Sequence, residues 1–305
     1  MNNKVNHNIN LLYKFNLSDE NSLKIFNHST RDINNLKVLK CINSGVIVLE
    51  KFIISEDYYE KNIHYTDDFK ERTKTEKGLI ESKPLDDDFR RFESYKELIN
   101  GSEILDFGCG RGGFIQLSKK ISKRSVGLEL NITNREYLNN IGVQCINRLS
   151  ELNDDKFDLI TLNHVFEHLN DPINILVELQ KYLKDDGIII IEVPHARDLL
   201  LETFNLESFK NFTLWSEHLI LHTRKSLETF ATNSGLHVKS IKGFQRYPIS
   251  NHYNWLLNGQ PSGHEIFHNL NNDDFHKHYE KLLDSIDQTD TLIGYFSKKN
   301  KENGS

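Results

Sequence analysis

The chain has 305 residues, 37% hydrophobic and 27% charged, with a formal net charge of −6. That is enough apolar material for a buried core, and the acidic balance offers no field to attract DNA or RNA, so no nucleic-acid partner is expected. Cys41, Cys109 and Cys145 share no C-x-x-C spacing, which argues against a disulfide framework or a cysteine zinc site and fits a reducing cytoplasm.

The N-terminal stretch MNNKVNHNINLLYKF has no apolar h-region, and the run GIIIIEV (187–193) is too short to span a bilayer, so neither secretion nor membrane insertion is expected. Residues 1–87 read as an N-terminal extension, with strand character in LKVLKC and SGVIVLEKFI. The tyrosine-rich segment SEDYYEKNIHY (55–65) is expected to act as a lid or acceptor-binding segment, with Tyr59 as a contact. A helix is predicted over 86–99, with Asp88 as its N-cap.

From residue 102 the pattern becomes regular. Strands are predicted at 103–108, 125–130, 143–147, 157–164, 187–194, 236–244 and 290–298. Helices at about 113–122, 133–141, 166–183 and 224–234 alternate with them. β-Branched strands separated by helices imply parallel βαβ units, hence an α/β Rossmann-like sheet with helices on both faces. Two insertions, about 195–223 and 245–289, interrupt a domain spanning 88–305, and the second has a helical middle at 273–286. Both leave from carboxyl ends of strands, the edge where open α/β sheets bind ligands.

The stretch EILDFGCGRGGFIQL (103–117) holds four glycines in six residues between two apolar runs. Glycine permits positive φ and close backbone approach, and free N–H groups at a helix start favour an anionic group. A glycine loop after a strand also serves NAD proteins, so the loop alone leaves the ligand open. Asp106, two positions before the first glycine, and Glu129, 21 residues after Gly108, narrow it. A carboxylate ending the second strand suits the two hydroxyls of a ribose.

D-F-G-C-G-R-G resembles motif I of the class I S-adenosylmethionine-dependent methyltransferases. KFDLITLNHVFEHLNDP resembles that family's fourth strand and following helix, LKDDGIIIIEVP its fifth strand, and DTLIGYFSK its antiparallel seventh. The resemblance implies a seven-stranded sheet with S-adenosylmethionine as cofactor and S-adenosylhomocysteine as product. It places Asp106 and the backbone of Gly108, Cys109 and Gly110 at the methionine end, Glu129 and Leu130 at the ribose, Asn147, Arg148 and Leu149 near adenine, and Asn163 with His164 beside the methionine or sulfonium.

For the acceptor, FTLWSEHLILHTRKSLETFATNSGLHV resembles the E-H-L…S-L…G segment of sugar and surface-polysaccharide methyltransferases, and RYPISNHYNWLLNGQPSGH resembles a second segment of that group. It implies Glu217 and His218 as acid/base residues, with His195, His222, Arg246, Asn251, His252, Trp255 and His264 as acceptor contacts. Each has a plainer reading: a histidine caps or hydrogen-bonds a loop, and a tryptophan fills a core. Glu167 and His168 in VFEHL fall at the start of a predicted helix, where one caps and the other packs, and no metal is expected.

Sugar C-methyltransferases of this kind carry an N-terminal cysteine zinc site that this chain lacks, and Trp215 replaces the tyrosine of their Tyr-x-Glu-His pattern. Both departures favour oxygen as the methylated atom. LNHVFEH is also unlike the Asn/Asp-Pro-Pro-Tyr/Phe type that cradles a flipped base. The expected partner is a small, sugar-like acceptor, with a phosphate-type or phosphoramidate acceptor, a sugar carbon, a catalytically silent cofactor-binding module and a homodimer left open.

Overall fold

The computed structural model describes residues 4–53, 58–61 and 83–299. Residues 55–57 and 62–65 of the tyrosine-rich segment lie outside them. The chain begins with β1 (Lys4–Val5) and a helix, His7–Lys14. Asn6 starts this helix by accepting the Asn8 N–H at 3.0 Å, while its Nδ2 donates to the Leu49 and Leu219 carbonyls at 3.1 and 2.8 Å. Then follow β2 (Leu23–Asn27), β3 (Val38–Cys41), β4 (Ile47–Leu49) and β5 (Lys51–Phe52).

The helix predicted over 86–99 is Asp86–Ile99. Its N-cap is Leu85; Asp88 sits three residues further on, where its carboxylate accepts the Leu85 N–H at 2.8 Å. The acid thus serves the same terminus from inside the first turn.

The central sheet is built from β6 (Glu103–Phe107), β7 (Arg124–Leu128), β8 (Gln144–Ile146), β9 (Phe157–Asn163) and β10 (Leu183–Pro194). β11 (Ile220–Leu221) belongs elsewhere, and β12 (Leu236–Phe244) and β13 (Thr291–Lys298) complete the sheet. Its order is β12-β13-β10-β9-β6-β7-β8, with β13 antiparallel to both neighbours and the other pairings parallel. The order of successive strands reverses between the parallel neighbours β6 and β9, the switch point at which such sheets bind ligands.

Side chains alternate across this sheet as a period of two requires. Ile104, Leu159, Ile190 and Ile293 face a core with Tyr95, Ile99, Phe114 and Leu138. Leu105, Ile160, Ile189 and Ile191 face the other, with Phe166, Phe230 and the extension's Ile9, Leu11 and Leu12. Burying each such aliphatic side chain contributes about 1.5–3 kcal/mol, so the N-terminal helix is held on the sheet like the domain's own helices.

The extension is knitted in a second way. β4, β3 and β2 form a four-stranded sheet whose remaining strand, β11, comes from the 195–223 insertion. Leu36, Val38, Ile47 and Leu49 share one core with Leu201, Leu214, Leu219 and Leu221. This cross-chain sheet is absent from the sequence reading because β11 is only two residues long. The helix predicted over 166–183 also divides: a 3₁₀ turn, Phe166–His168, precedes a helix, Pro172–Leu179, capped by Asp171. Glu167 therefore caps nothing.

The insertion after β10 opens with Asp198, which is buried and accepts the Leu200 N–H at 2.6 Å. Burial and the nearby Asp290 charge push its carboxyl up to about 8. The folded chain then keeps a proton that the unfolded chain releases near the ordinary aspartate value, so stability falls as pH rises from about 4 to about 8 and levels above. Asp198→Asn keeps the cap and removes this slope. Melting temperatures at about pH 6 and about pH 9 are expected to converge in the variant relative to the parent, and an unchanged difference would contradict the assignment.

Candidate active site

The glycine loop joins β6 to the helix Gly113–Ser118. Gly108 and Cys109 donate to the Leu128 carbonyl at 2.8 and 3.0 Å, tying the loop to the end of β7. Its glycines have separate reasons. Gly108 and Gly112 take positive φ and lie against Val165 and Leu138, and Gly113 lies against Asp88, so an added Cβ collides at each. At Gly110 φ is +53°, yet a Cβ would meet no protein atom within 4 Å. That glycine therefore leaves the open side of the loop free of any side chain.

Glu129 faces the same loop: one carboxylate oxygen accepts the Gly110 N–H and the other the Asn131 N–H, each at 2.7 Å. Each oxygen retains a lone pair, so the acceptor capacity a ribose needs is present. Burial raises its pKa, against the opposing hydrogen bonds. Asp106 is buried and accepts from Thr161 Oγ1 at 2.7 Å and Asn163 Nδ2 at 3.3 Å, and burial carries it up to about 6. Cys109 Sγ lies 3.8 Å from Cys145 Sγ. Toward the expected adenine end Leu149 is buried, Leu130 and Arg148 are exposed, and the Asn147 N–H donates to Glu151 at 3.2 Å.

A buried ion network joins this region to the next. Glu192, fully buried near the end of β10, accepts from Arg90 at 2.6 Å and from Arg91 at 2.7 Å. His164, held at φ +53°, places Nε2 3.3 Å from Glu192 and Nδ1 3.2 Å from Glu167. Burial opposes its protonation, but the two carboxylates raise its pKa overall, while Glu192 is held well below the carboxylate range by His164 and Arg91 despite its own burial. Sequence reading missed Glu192 and Arg91. Their signals were a charge ending an otherwise apolar strand and paired arginines in an amphipathic helix.

Glu167 and His168 lie in the turn directly after β9, whose Val165 packs on Gly108. The turn 215–219 is fastened across from it by the Leu219 N–H donating to the Glu167 carbonyl at 2.9 Å, and Asp32 of the extension accepts from Ser216 N–H at 3.0 Å. The rings of His168 and His218 meet edge-on, 5.1 Å between centroids. His168 Nδ1 lies 3.9 Å from Glu217, and Nε2 lies 3.8 Å from Glu167. Burial and the neighbouring His168 push His218 down to about 4, so its imidazole is neutral near pH 7. The extension covers the group: Tyr58 OH donates to Glu217 at 2.6 Å, and the Tyr59 ring stands 6.3 Å from that of His168. Tyr59, Glu217 and His218, singled out from sequence, thus converge with Glu167 and His168.

The other predicted acceptor residues make their contacts with other groups, although the Glu167 charge still bears on His222. His195 is buried against Thr289 and Asp287, and His222 is packed between Phe166 and Phe230 with Nδ1 on Ser226. Trp255 is buried between Phe209 and Phe212. His252 bridges Gln245 and Tyr279, Asn251 accepts the Gly263 N–H, Arg246 pairs with Asp87, and His264 lies beside Tyr247. These contacts hold the second insertion together. Such polar residues are drawn inside wherever loops must satisfy their own donors and acceptors.

Residues 80–241, more than half the chain, match the family described as methyltransferase domain. An uncharacterised protein of Methanocaldococcus jannaschii is 30% identical over 131 residues, 43% of this chain and 54% of that one, so the match spans about half of that relative's length. A ubiquinone biosynthesis O-methyltransferase of Actinobacillus pleuropneumoniae is 22% identical over 184 residues, 52% of this chain and 75% of that one. A solved structure of a SAM-dependent methyltransferase from Archaeoglobus fulgidus is 20% identical, covering 68% of this chain and 92% of that one at a TM-score of 0.47. With this sheet order, the glycine loop and a family match over more than half its length, the chain belongs to the methyltransferase-domain family, with S-adenosylmethionine as its cofactor.

Proposed function

We propose that this protein moves a methyl group from S-adenosylmethionine to a hydroxyl of a sugar-like small molecule, a nucleotide-linked sugar or another precursor of a surface polysaccharide. The observation that carries this reading is the cluster of buried Glu167 and Glu217 with half-buried His168 and His218 beside the glycine loop. The bound cofactor supplies an electrophilic methyl on a sulfonium. Asp106 and the backbone of Gly108 and Gly110 hold its amino-acid end, and Glu129 holds the ribose. A hydroxyl becomes an effective nucleophile only as its proton leaves, and Glu217 and His218 receive that proton in a site screened from water by Tyr58 and Tyr59. Residues 1–87 then act as an extension covering the acceptor end of a methyltransferase domain, 88–305, in the cytoplasm.

Oxygen is favoured by two features: matched relatives named ubiquinone biosynthesis O-methyltransferases, and a carboxylate–imidazole cluster able to take the proton that a hydroxyl must lose. The sugar class rests on the likeness of the segment around Glu217 and His218 to sugar methyltransferases. The test is transfer of labelled methyl from S-adenosylmethionine to a panel of nucleotide-sugars by the parent and by His218→Gln. Transfer is expected, with kcat lowered about 10²–10⁴-fold in the variant and S-adenosylhomocysteine affinity retained. No transfer to any hydroxyl acceptor would overturn the reading, and equal rates would remove His218 from the proton step.

A further inference from the structure

Glu167, His168 and His218 each offer one ligand atom, and these atoms all lie within 4.8 Å of one another. The geometry points to a site for a divalent first-row transition-metal cation at these three residues, with the acceptor oxygen entering its open positions. The role given to the cation rests on the O-methylation reading above, whereas the site itself does not.

Unsatisfied polarity is the first support. Glu167 Oε2 and His218 Nδ1 are buried and make no hydrogen bond. An orphaned buried polar atom costs roughly 1–3 kcal/mol, and native chains rarely collect several in one place. The internal contacts do not relieve this. His168 Nε2 and Glu167 Oε1 are 3.8 Å apart, too long for a hydrogen bond. Cation-to-ligand bonds of about 2.0–2.2 Å would set neighbouring ligand atoms roughly 3–3.5 Å apart, closer than the present spacing.

The donor set is the second support. Two imidazoles and one carboxylate suit zinc, iron, cobalt or manganese, whereas magnesium and calcium prefer oxygen ligands throughout. Three protein ligands leave coordination positions free, the mark of a site that handles a substrate.

The surroundings are the third. Ligating histidines usually direct their second nitrogen to a carboxylate. His168 has Nδ1 on the Glu217 side, 3.9 Å away and short of a hydrogen bond, while Nε2 faces Glu167. Glu217 is itself held by Tyr58 OH at 2.6 Å, and Glu167 by His164 Nδ1 at 3.2 Å. The bond from Leu219 N–H to the Glu167 carbonyl fixes the two ligand-bearing turns together.

In methyl transfer the cation would polarise the acceptor hydroxyl as a Lewis acid. The O–H bond breaks and its proton passes to Glu217 alone, because with the cation bound His218 is a ligand and no longer a base. The oxygen lone pair forms the new C–O bond as the C–S bond breaks, its electrons returning to sulfur. His168 and Glu167, which the acid/base scheme left idle, thereby acquire roles.

The full chain, stripped with a chelator, is titrated with Co²⁺ and with Zn²⁺ by calorimetry and visible absorption. One equivalent is expected, with cobalt d–d bands. Glu167→Gln, His168→Gln and His218→Gln should each weaken binding by no less than the roughly 10–100-fold that outer-shell changes cost, while S-adenosylhomocysteine still binds as evidence of an intact fold. No stoichiometric binding, or binding unaffected by all three substitutions, overturns the site. Full-rate sugar methylation by stripped protein overturns the cation's role and leaves O-methylation standing. A bound cation without methylation of any hydroxyl supports the site and removes the acceptor reading.

Discussion

Replacing Arg91 with methionine is expected to lower unfolding stability by roughly 3–5 kcal/mol, the cost of removing one partner from a buried ion pair. Glu192 is fully buried, and Arg91 reaches it from both Nε and an amino group, at 3.2 and 2.7 Å. Arg90 also touches Glu192, at 2.6 Å, and this remaining contact places the loss toward the low end of the range. A charge left without its partner in that interior has no water to turn to. The double change Arg91→Met with Glu192→Leu should recover much of the loss, because two apolar side chains avoid the desolvation of both ions. Urea denaturation midpoints measure both. A single-variant loss below about 1 kcal/mol would show that the pair is solvated or replaceable.

Glu129→Ala is expected to weaken S-adenosylhomocysteine binding by about 10²–10⁴-fold, the equivalent of two hydrogen bonds to a charged acceptor at roughly 1.5–3 kcal/mol each. Its carboxylate spends one lone pair per oxygen on Gly110 and Asn131 and leaves the others open, the capacity that two ribose hydroxyls would use. Removing it also frees the Gly110 N–H, so loop order and ribose contact are lost together. Glu129→Gln separates them, since one amide oxygen can still accept from the loop. Calorimetry should rank parent, glutamine and alanine in that order. Equal affinity in parent and alanine variant would move the ribose elsewhere.

The glycine loop was legible in the sequence because its constraints are local. Positive φ at Gly108 and Gly112, and close packing at Gly113, can be met only by glycine, so the backbone requirement is written as residue identity. β-Branched strands interrupted by helices disclosed the sheet for the same reason. Long-range pairings left weaker marks. Arg91, His164 and Glu192 meet only after three elements have packed, and β11 joins the N-terminal strands through two residues. The histidines divided by environment. His218 meets His168 across two turns, whereas His195, His222 and His252 satisfy interior hydrogen bonds, a difference that spacing along the chain does not encode.

Glu167 shows how a correct segment can carry a wrong local role. VFEHL was expected to open a helix, but the chain makes a single 3₁₀ turn there and starts the helix at Pro172, where proline's missing N–H costs nothing. That delay turns the Glu167 and His168 side chains toward His218 and not along a helix. The imidazole–carboxylate cluster is therefore made by short segments from distant parts of the chain: the turn 166–168 after β9, the turn 215–219 in the insertion, and the helix Tyr58–Lys61 in the extension.

The most direct measurement is a crystal structure of the protein with S-adenosylhomocysteine. The central claim is that one sheet edge holds the cofactor and turns its sulfur toward the imidazole–carboxylate cluster. The expected result is ribose hydroxyls on Glu129, the amino-acid end against Gly108 and Gly110, and sulfur facing His168 and His218. A nucleoside bound away from Glu129, or sulfur directed away from that cluster, would contradict it.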